Sequence, residues 1–273
     1  MLIFVKQYGI NLLCALMGLI FIGFFYDMDS FSWNVLGPGF VLYSLLSFIT
    51  GLRFYCWLKL TEHIHLTPTE IISIPARMNL FSYILPFKGG GLWLMWFLKN
   101  RYQLTFGKTL GLALQNTLLA ASLLLVLVLT TYWPTTTVFQ QFLWISTLLI
   151  LTHLLILPFR RWMQQRISWS LLLGDTALSL LYLLVICLLP LQLLDIPAAQ
   201  ALVFASLILT SALVKLTPGN IGVLEGMAVI AGYWFEDVGF LQFVAYFRVL
   251  SLLHAATFGI GAVLLDRPDN KSK

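Results

Sequence analysis

The chain has 273 residues, of which 60% are hydrophobic and only 10% charged, with a net charge of +5 and a mean hydropathy of +0.91. These values lie well outside the range of soluble domains and point to a polytopic α-helical membrane protein. The apolar runs are continuous rather than alternating, which argues against a β-barrel, and the short connections between them leave no room for a soluble catalytic domain.

The first run, Tyr8 to Tyr26, follows Lys6 and is too long for a signal-peptide core. No small-residue cleavage site follows it, and Asn11-Leu12-Leu13-Cys14 is a poor lipoprotein box, so it reads as an uncleaved span. Further spans are expected at 34–58, 107–131, 139–158, 170–190 and 240–265, each near the ~20 residues a bilayer core requires. Cys14, Cys56 and Cys187 all fall inside spans and read as reduced packing residues rather than a disulfide framework.

Two interrupted segments lie between these spans, at 67–100 and 196–235. The first opens on Thr67-Pro68-Thr69-Glu70, a capping box with proline at the first helical position. It breaks at Ile84-Leu85-Pro86-Phe87-Lys88-Gly89-Gly90-Gly91. The second opens on Asp195-Ile196-Pro197 and breaks at Leu216-Thr217-Pro218-Gly219-Asn220-Ile221-Gly222. Each break has a proline four residues before a glycine and a lysine close by, Lys88 or Lys215. Proline removes a backbone donor and glycine frees the dihedrals, so each helix is expected to end there and restart. Inside a bilayer, such breaks persist only where protein or a watery cavity satisfies the backbone, and a matching pair is a pointer to a transporter's binding site.

The halves match in order: two spans, an interrupted segment, then one span. The expected fold is therefore all-α, with about six full transmembrane helices and two interrupted or re-entrant helical hairpins. It forms a single transmembrane domain over 1–273, with a first half at 8–131 and a second at 139–265. Three crossings per half invert the second relative to the first, giving an inverted-topology repeat whose hairpin tips meet near the midplane. Lys6, Lys59, Lys99, Arg101, Lys108, Arg160, Arg161, Arg166, Arg267, Lys271 and Lys273 all fall on one side of this map. The positive-inside rule makes that side cytoplasmic, placing a multi-pass protein in the plasma (inner) membrane with both termini in the cytoplasm.

Charged side chains at a helix centre cost roughly 2.5–3.5 kcal/mol each on insertion scales, so Arg77, Lys88, Asp175, Lys215, Glu225 and Arg248 are the informative positions. Each restarted half-helix presents free amides and a positive dipole end, and the lysines add the same sign, which suits a lipid phosphate. Glu225 is expected to pair with Arg248 or Lys215, as a structural lock, a gate or a proton carrier. Arg53 reads as snorkelling to its span's cytoplasmic end, and Asp175 as a helix-end polar residue. His153 and His254 read as packed histidines. Glu62-His63-x-His65 is at most half a metal site, and Asp27-x-Asp29 reads as a solvated loop. Arg160, Arg161 and Arg166, interleaved with Trp162 and Trp169, read as an anchor on anionic lipids rather than a nucleic-acid contact.

The run Leu216-Thr217-Pro218-Gly219-Asn220-Ile221-Gly222-Val223-Leu224-Glu225-Gly226, followed by Arg248 in the next span, resembles the lysylphosphatidylglycerol synthase transmembrane-region family. That family carries a Pro-Gly-x-x-Gly-x-x-Glu run and then an arginine in the following helix. Its earlier motif, an asparagine before Leu-Pro-Gly-Arg-x-Gly-Glu, is matched in part by Asn79, Leu85, Pro86, Lys88 and Gly90, with Phe87 and Gly91 in place of the glycine and glutamate. The resemblance implies a flippase-like domain that moves a phospholipid or lipid-linked sugar between leaflets, without the soluble synthase domain of some relatives.

The expected function is translocation of an anionic phospholipid or lipid-linked glycan, with no catalysis, metal or cofactor. The substrate-binding residues are expected to be Arg77, Asn79, Pro86, Lys88, Gly90, Lys215, Pro218, Gly219, Asn220, Gly222, Glu225 and Arg248. The expected partners are membrane lipids with anionic headgroups and a separate lipid-modifying or glycosyl-transferring enzyme. Three alternatives stand beside it: a secondary transporter of a small anion with Glu225 as proton carrier, an intramembrane transferase acting on a polyprenyl phosphate, and a non-catalytic partner subunit in envelope lipid or polysaccharide biosynthesis.

Overall fold

The computed structural model describes residues 32–84, 89–111, 117, 120, 121, 123–125, 169–194, 196–214, 223–235 and 239–265, and every regular element among them is helical. A single 3-10 turn, Trp33–Val35, leads into α1 (Leu36–Glu62). Then come α2 (Pro68–Ile84), α3 (Gly89–Tyr102), α4 (Trp169–Leu193), α5 (Ala198–Val214), α6 (Val223–Phe235) and α7 (Gly239–His254). A π-helical stretch, Ala255–Ile260, continues α7 into α8 (Gly261–Leu265).

Among the described residues, three stretches are long and apolar enough to cross a membrane: Trp33–Lys59, Leu173–Leu193 and Gly239–Val263. They match the expected spans at 34–58, 170–190 and 240–265. The spans expected at 8–26 and 139–158 lie outside the described residues, and the one at 107–131 is described only in part.

Local chemistry sets the helix ends that can be described. The amide of Ile64 reaches back to the Leu58 carbonyl at 3.0 Å, and His63 takes the left-handed conformation (φ 56°) that closes α1. The capping box at the start of α2 forms as the sequence predicts. The Glu70 amide donates to Thr67 Oγ1 at 3.2 Å, and Glu70 Oε2 accepts from the Thr67 amide at 2.8 Å. At α5 the Pro197 carbonyl accepts from the amides of Gln200 and Ala201.

Both interrupted segments become pairs of short helices, 17 and 14 residues in the first and 17 and 13 in the second. At 1.5 Å per residue each arm is about 20–25 Å long, short of the ~30 Å hydrocarbon core. The connecting residues 85–88 and 215–222 lie outside the described residues, and with them Pro86, Lys88, Lys215, Pro218, Gly219, Asn220 and Gly222. The arms α2 and α3 run antiparallel: Phe81 stacks on Trp93 with ring centres 5.4 Å apart, and Arg101 lies 3.7 Å from Glu70 at the open end.

Helix α2 is held at three glycines, a close approach that small residues permit between membrane helices. A Cβ on Gly51 of α1 would lie 1.9 Å from the Ile71 carbonyl oxygen, and one on Gly90 of α3 would lie 2.1 Å from that of Met78. On the third side, a Cβ on Gly259 in the π-helical stretch would meet the Ala76 carbonyl oxygen at 3.0 Å and Leu80 at 2.9 Å. Two apolar cores form, and α2 belongs to the smaller. The larger joins α1, α4, α5, α6 and α7 around Ile49, Phe204 and Phe243; the smaller joins the Glu62 end of α1 with α2 and α3 around Leu58, Ile74 and Leu98.

The pairings also order the helices in depth. Gly51 faces Ile71 and Tyr43 faces Asn79, so α2 climbs antiparallel along α1 and its last turn lies near the Leu36 end. Ser32 contacts Tyr246, Gly39 contacts Leu250 and Tyr43 packs on His254, so α7 runs parallel to α1. The far end of α2 thus sits towards the Leu36 end of α1, and the hairpin tip expected near the midplane falls outside the described residues.

Candidate functional site

The described flanks of the two breaks meet at one turn of α7. Tyr83, two residues before the first break, meets the hydroxyl of Ser251, which donates to the Arg248 carbonyl at 3.3 Å. Glu225, in the first turn after the second break, accepts from Arg248 Nε at 2.6 Å and from a terminal nitrogen at 3.0 Å. Glu225 and Arg248 are 4% and 5% exposed, so this is a buried, two-point ion pair. It is the Glu225–Arg248 partnership that the sequence predicts. Insertion cost is the reason: neither charge is tolerable there unless the other neutralises it.

A second buried ion pair lies lower in the bundle, and the sequence reading misses it. Arg53 of α1 donates from Nε to Asp175 of α4 at 3.0 Å, and their side chains are 10% and 2% exposed. Arg53 therefore does not snorkel, and Asp175 is not a solvated helix-end residue. Each stands near a helix end, where water is the usual partner. Antiparallel packing of α1 on α4 instead brings the two to one level. A signal was available: an acid and a base at the same expected depth in two adjacent spans.

Between these pairs lies a cavity of about 310 Å³. Its wall comes from α1, α2, the start of α3, Thr117, Ala120, Leu123, α4, α5 and α7, so it draws on both halves of the chain. Most of the lining is apolar. The polar exceptions include Tyr43, Ser47, Thr50, Arg53, Asn79 and Tyr182. Thr50 is satisfied by the Leu46 carbonyl at 2.9 Å, and Asn79 donates to the Tyr43 hydroxyl at 3.2 Å. Gly91 faces the cavity, and a Cβ there would meet nothing within 4 Å. A mostly apolar pocket of this size with a few convergent polar groups is the usual form of a small-ligand site.

Of the expected binding residues that are described, Asn79 lines the cavity. Arg77, Gly90, Glu225 and Arg248 are not among the described lining residues. Arg77 clamps two elements together: it donates to the Ala262 carbonyl at 2.5 Å and lies 6.0 Å from the centre of the Trp93 ring. Gly90 is a packing glycine under the Met78 carbonyl. Glu62, from the half metal site, instead pairs with Lys108 at 2.5 Å, and no cluster of three metal-ligating side chains occurs among the described residues.

No family model, curated protein or solved structure matches the chain.

Proposed function

We propose that this chain is a lipid translocase that moves an anionic phospholipid or lipid-linked glycan between the leaflets of the plasma membrane. The observation that carries this reading is the cavity itself. It opens inside a bundle of apolar helices, takes its wall from both halves, and combines a largely apolar surface with Arg53, Asn79 and three hydroxyl-bearing side chains of α1. An amphiphile needs both kinds of wall at once; a small hydrated anion has no use for the apolar part.

In this reading the protein is multi-pass with both termini cytoplasmic, its six spans and two hairpins form an inverted repeat, and its second break resembles that of the lysylphosphatidylglycerol synthase transmembrane-region family. The contacts of Tyr83 with Ser251 and of Glu225 with Arg248 support the repeat, because they tie the flanks of both breaks to one turn of α7. Alternating access follows from rocking of one half against the other around the cavity. Lys88 and Lys215 lie outside the described residues; in the sequence they stand beside the two breaks, and their charge favours an anionic headgroup.

The test is leaflet transfer in proteoliposomes containing the purified chain. Fluorescent phosphatidylglycerol should cross faster than in protein-free vesicles, and faster than fluorescent phosphatidylcholine. Equal rates with and without protein would refute the reading.

A further inference from the structure

We infer that Arg53 is the anchor of an oxyanion-binding site inside the cavity, with its terminal guanidinium nitrogens as the donors and Asp175 as the residue that aims them. The inference rests on the translocase reading only for the ligand's source, a phosphoryl headgroup.

The geometry is specific. Arg53 is 8% exposed and lines the cavity, so its charge sits in the bundle rather than at a water interface. Asp175 engages it from the side, through Nε alone, at 3.0 Å. The two terminal nitrogens have no hydrogen-bond partner among the described residues. A guanidinium offers five donors in a flat fork, and the outer pair matches two oxygens of a phosphoryl or carboxylate group. Arg53 lines the cavity and its terminal nitrogens are not sealed off in the protein interior, so they stay open to a ligand that supplies two oxygens.

The surroundings agree with that assignment. Asp175 is 1% exposed and does not line the cavity, so its own oxygens do not face the incoming anion. Its carbonyl is held by Ser179 Oγ at 2.6 Å, which fixes the turn of α4 that presents it. Ser47, one turn before Thr50 on α1, and Tyr182 on α4 add hydroxyls to the same wall. Above them the wall becomes apolar through Leu46, Ile186, Ile208 and Phe247, which suits the non-polar part of an amphiphile.

Opposite effects are expected for the two partners of the pair. Removing both charges deletes the fork and leaves nothing buried and unpaired. Removing only the carboxylate leaves the fork in place and frees it from a competing negative charge. The experiment is retention of phosphatidylglycerol against phosphatidylcholine, measured by native mass spectrometry on the full chain from equimolar mixed micelles. The variants are the double substitution R53Q/D175N, the fork-deleting R53K and the carboxylate-deleting D175N.

R53K and R53Q/D175N should each lower the preference for phosphatidylglycerol roughly tenfold, the loss of one charge-assisted contact. D175N should keep or raise it. A preference unchanged in R53Q/D175N would overturn the assignment, as would a wild-type chain with neither a preference for phosphatidylglycerol nor Arg53-dependent stabilisation by phosphate. A parallel arm adds inorganic phosphate to chain in neutral detergent and reads thermal stabilisation. Stabilisation that depends on Arg53, without any phosphatidylglycerol preference, would keep the oxyanion site and give it a soluble ligand. Arg53-dependent retention without leaflet transfer would keep the site and refute the translocase reading alone.

Discussion

Arg248 grips the Glu225 carboxylate through two hydrogen bonds, at 2.6 and 3.0 Å, while the Tyr83 hydroxyl of the other broken segment meets Ser251, whose hydroxyl donates to the Arg248 carbonyl. Both charges are buried, so each is tolerable only because of the other. Glu225→Gln or Arg248→Gln should therefore lower stability by about 3–5 kcal/mol. Tyr83→Phe removes one hydrogen bond and should cost about 0.5–1.5 kcal/mol. Thermal unfolding in detergent checks both values, and the double variant E225Q/R248Q should recover part of the loss.

The close glycine contacts around α2 give a second prediction. Gly51→Ala and Gly259→Ala push a methyl group against the Ile71 and Ala76 carbonyl regions, so the helices must separate. Each should cost about 1–3 kcal/mol, as overpacking does. Gly37 is the control: a Cβ there meets nothing within 4 Å, so Gly37→Ala should be neutral or slightly stabilising. Equal melting temperatures for all three variants would mean that the helices are not packed this closely.

The parts of this architecture legible in the sequence are those with a strong local cause. The Thr67–Glu70 capping box is read from four adjacent residues, and it forms. Glu225 and Arg248 are read as partners because an unpaired charge in an apolar helix is prohibitive. Arg53 and Asp175 are harder, since they stand 122 residues apart. Each lies near a helix end, where solvent is the cheaper explanation. The partner of Arg77 is a backbone carbonyl of α8, just past the π-helical stretch, and no residue type marks it in the sequence. Gly51, Gly90 and Gly259 look alike in the sequence to Gly37 and Gly91. Only the packing shows that the first three touch backbone or a neighbouring side chain while the others face open space.

The lysines beside the breaks give a third prediction. Lys215→Ala should slow leaflet transfer of phosphatidylglycerol far more than that of phosphatidylcholine, with the fold intact. The second break matches the family's motif more fully than the first, so Lys88→Ala should have the smaller effect. Transfer rates for both lipids in both variants check this, and equal losses for the two lipids would remove the headgroup role of these lysines.

The central claim is that lipid passes through the cavity between the two halves, and Gly91 tests it most directly. The position opens on the cavity, and its Cβ direction is unobstructed, so Gly91→Trp should fill the space without disturbing the helices. The measurement is leaflet transfer of fluorescent phosphatidylglycerol in proteoliposomes, wild type against Gly91→Trp, with melting temperatures matched. The account predicts transfer by the wild type and its loss in the variant. Transfer at the wild-type rate through a folded Gly91→Trp protein would contradict it.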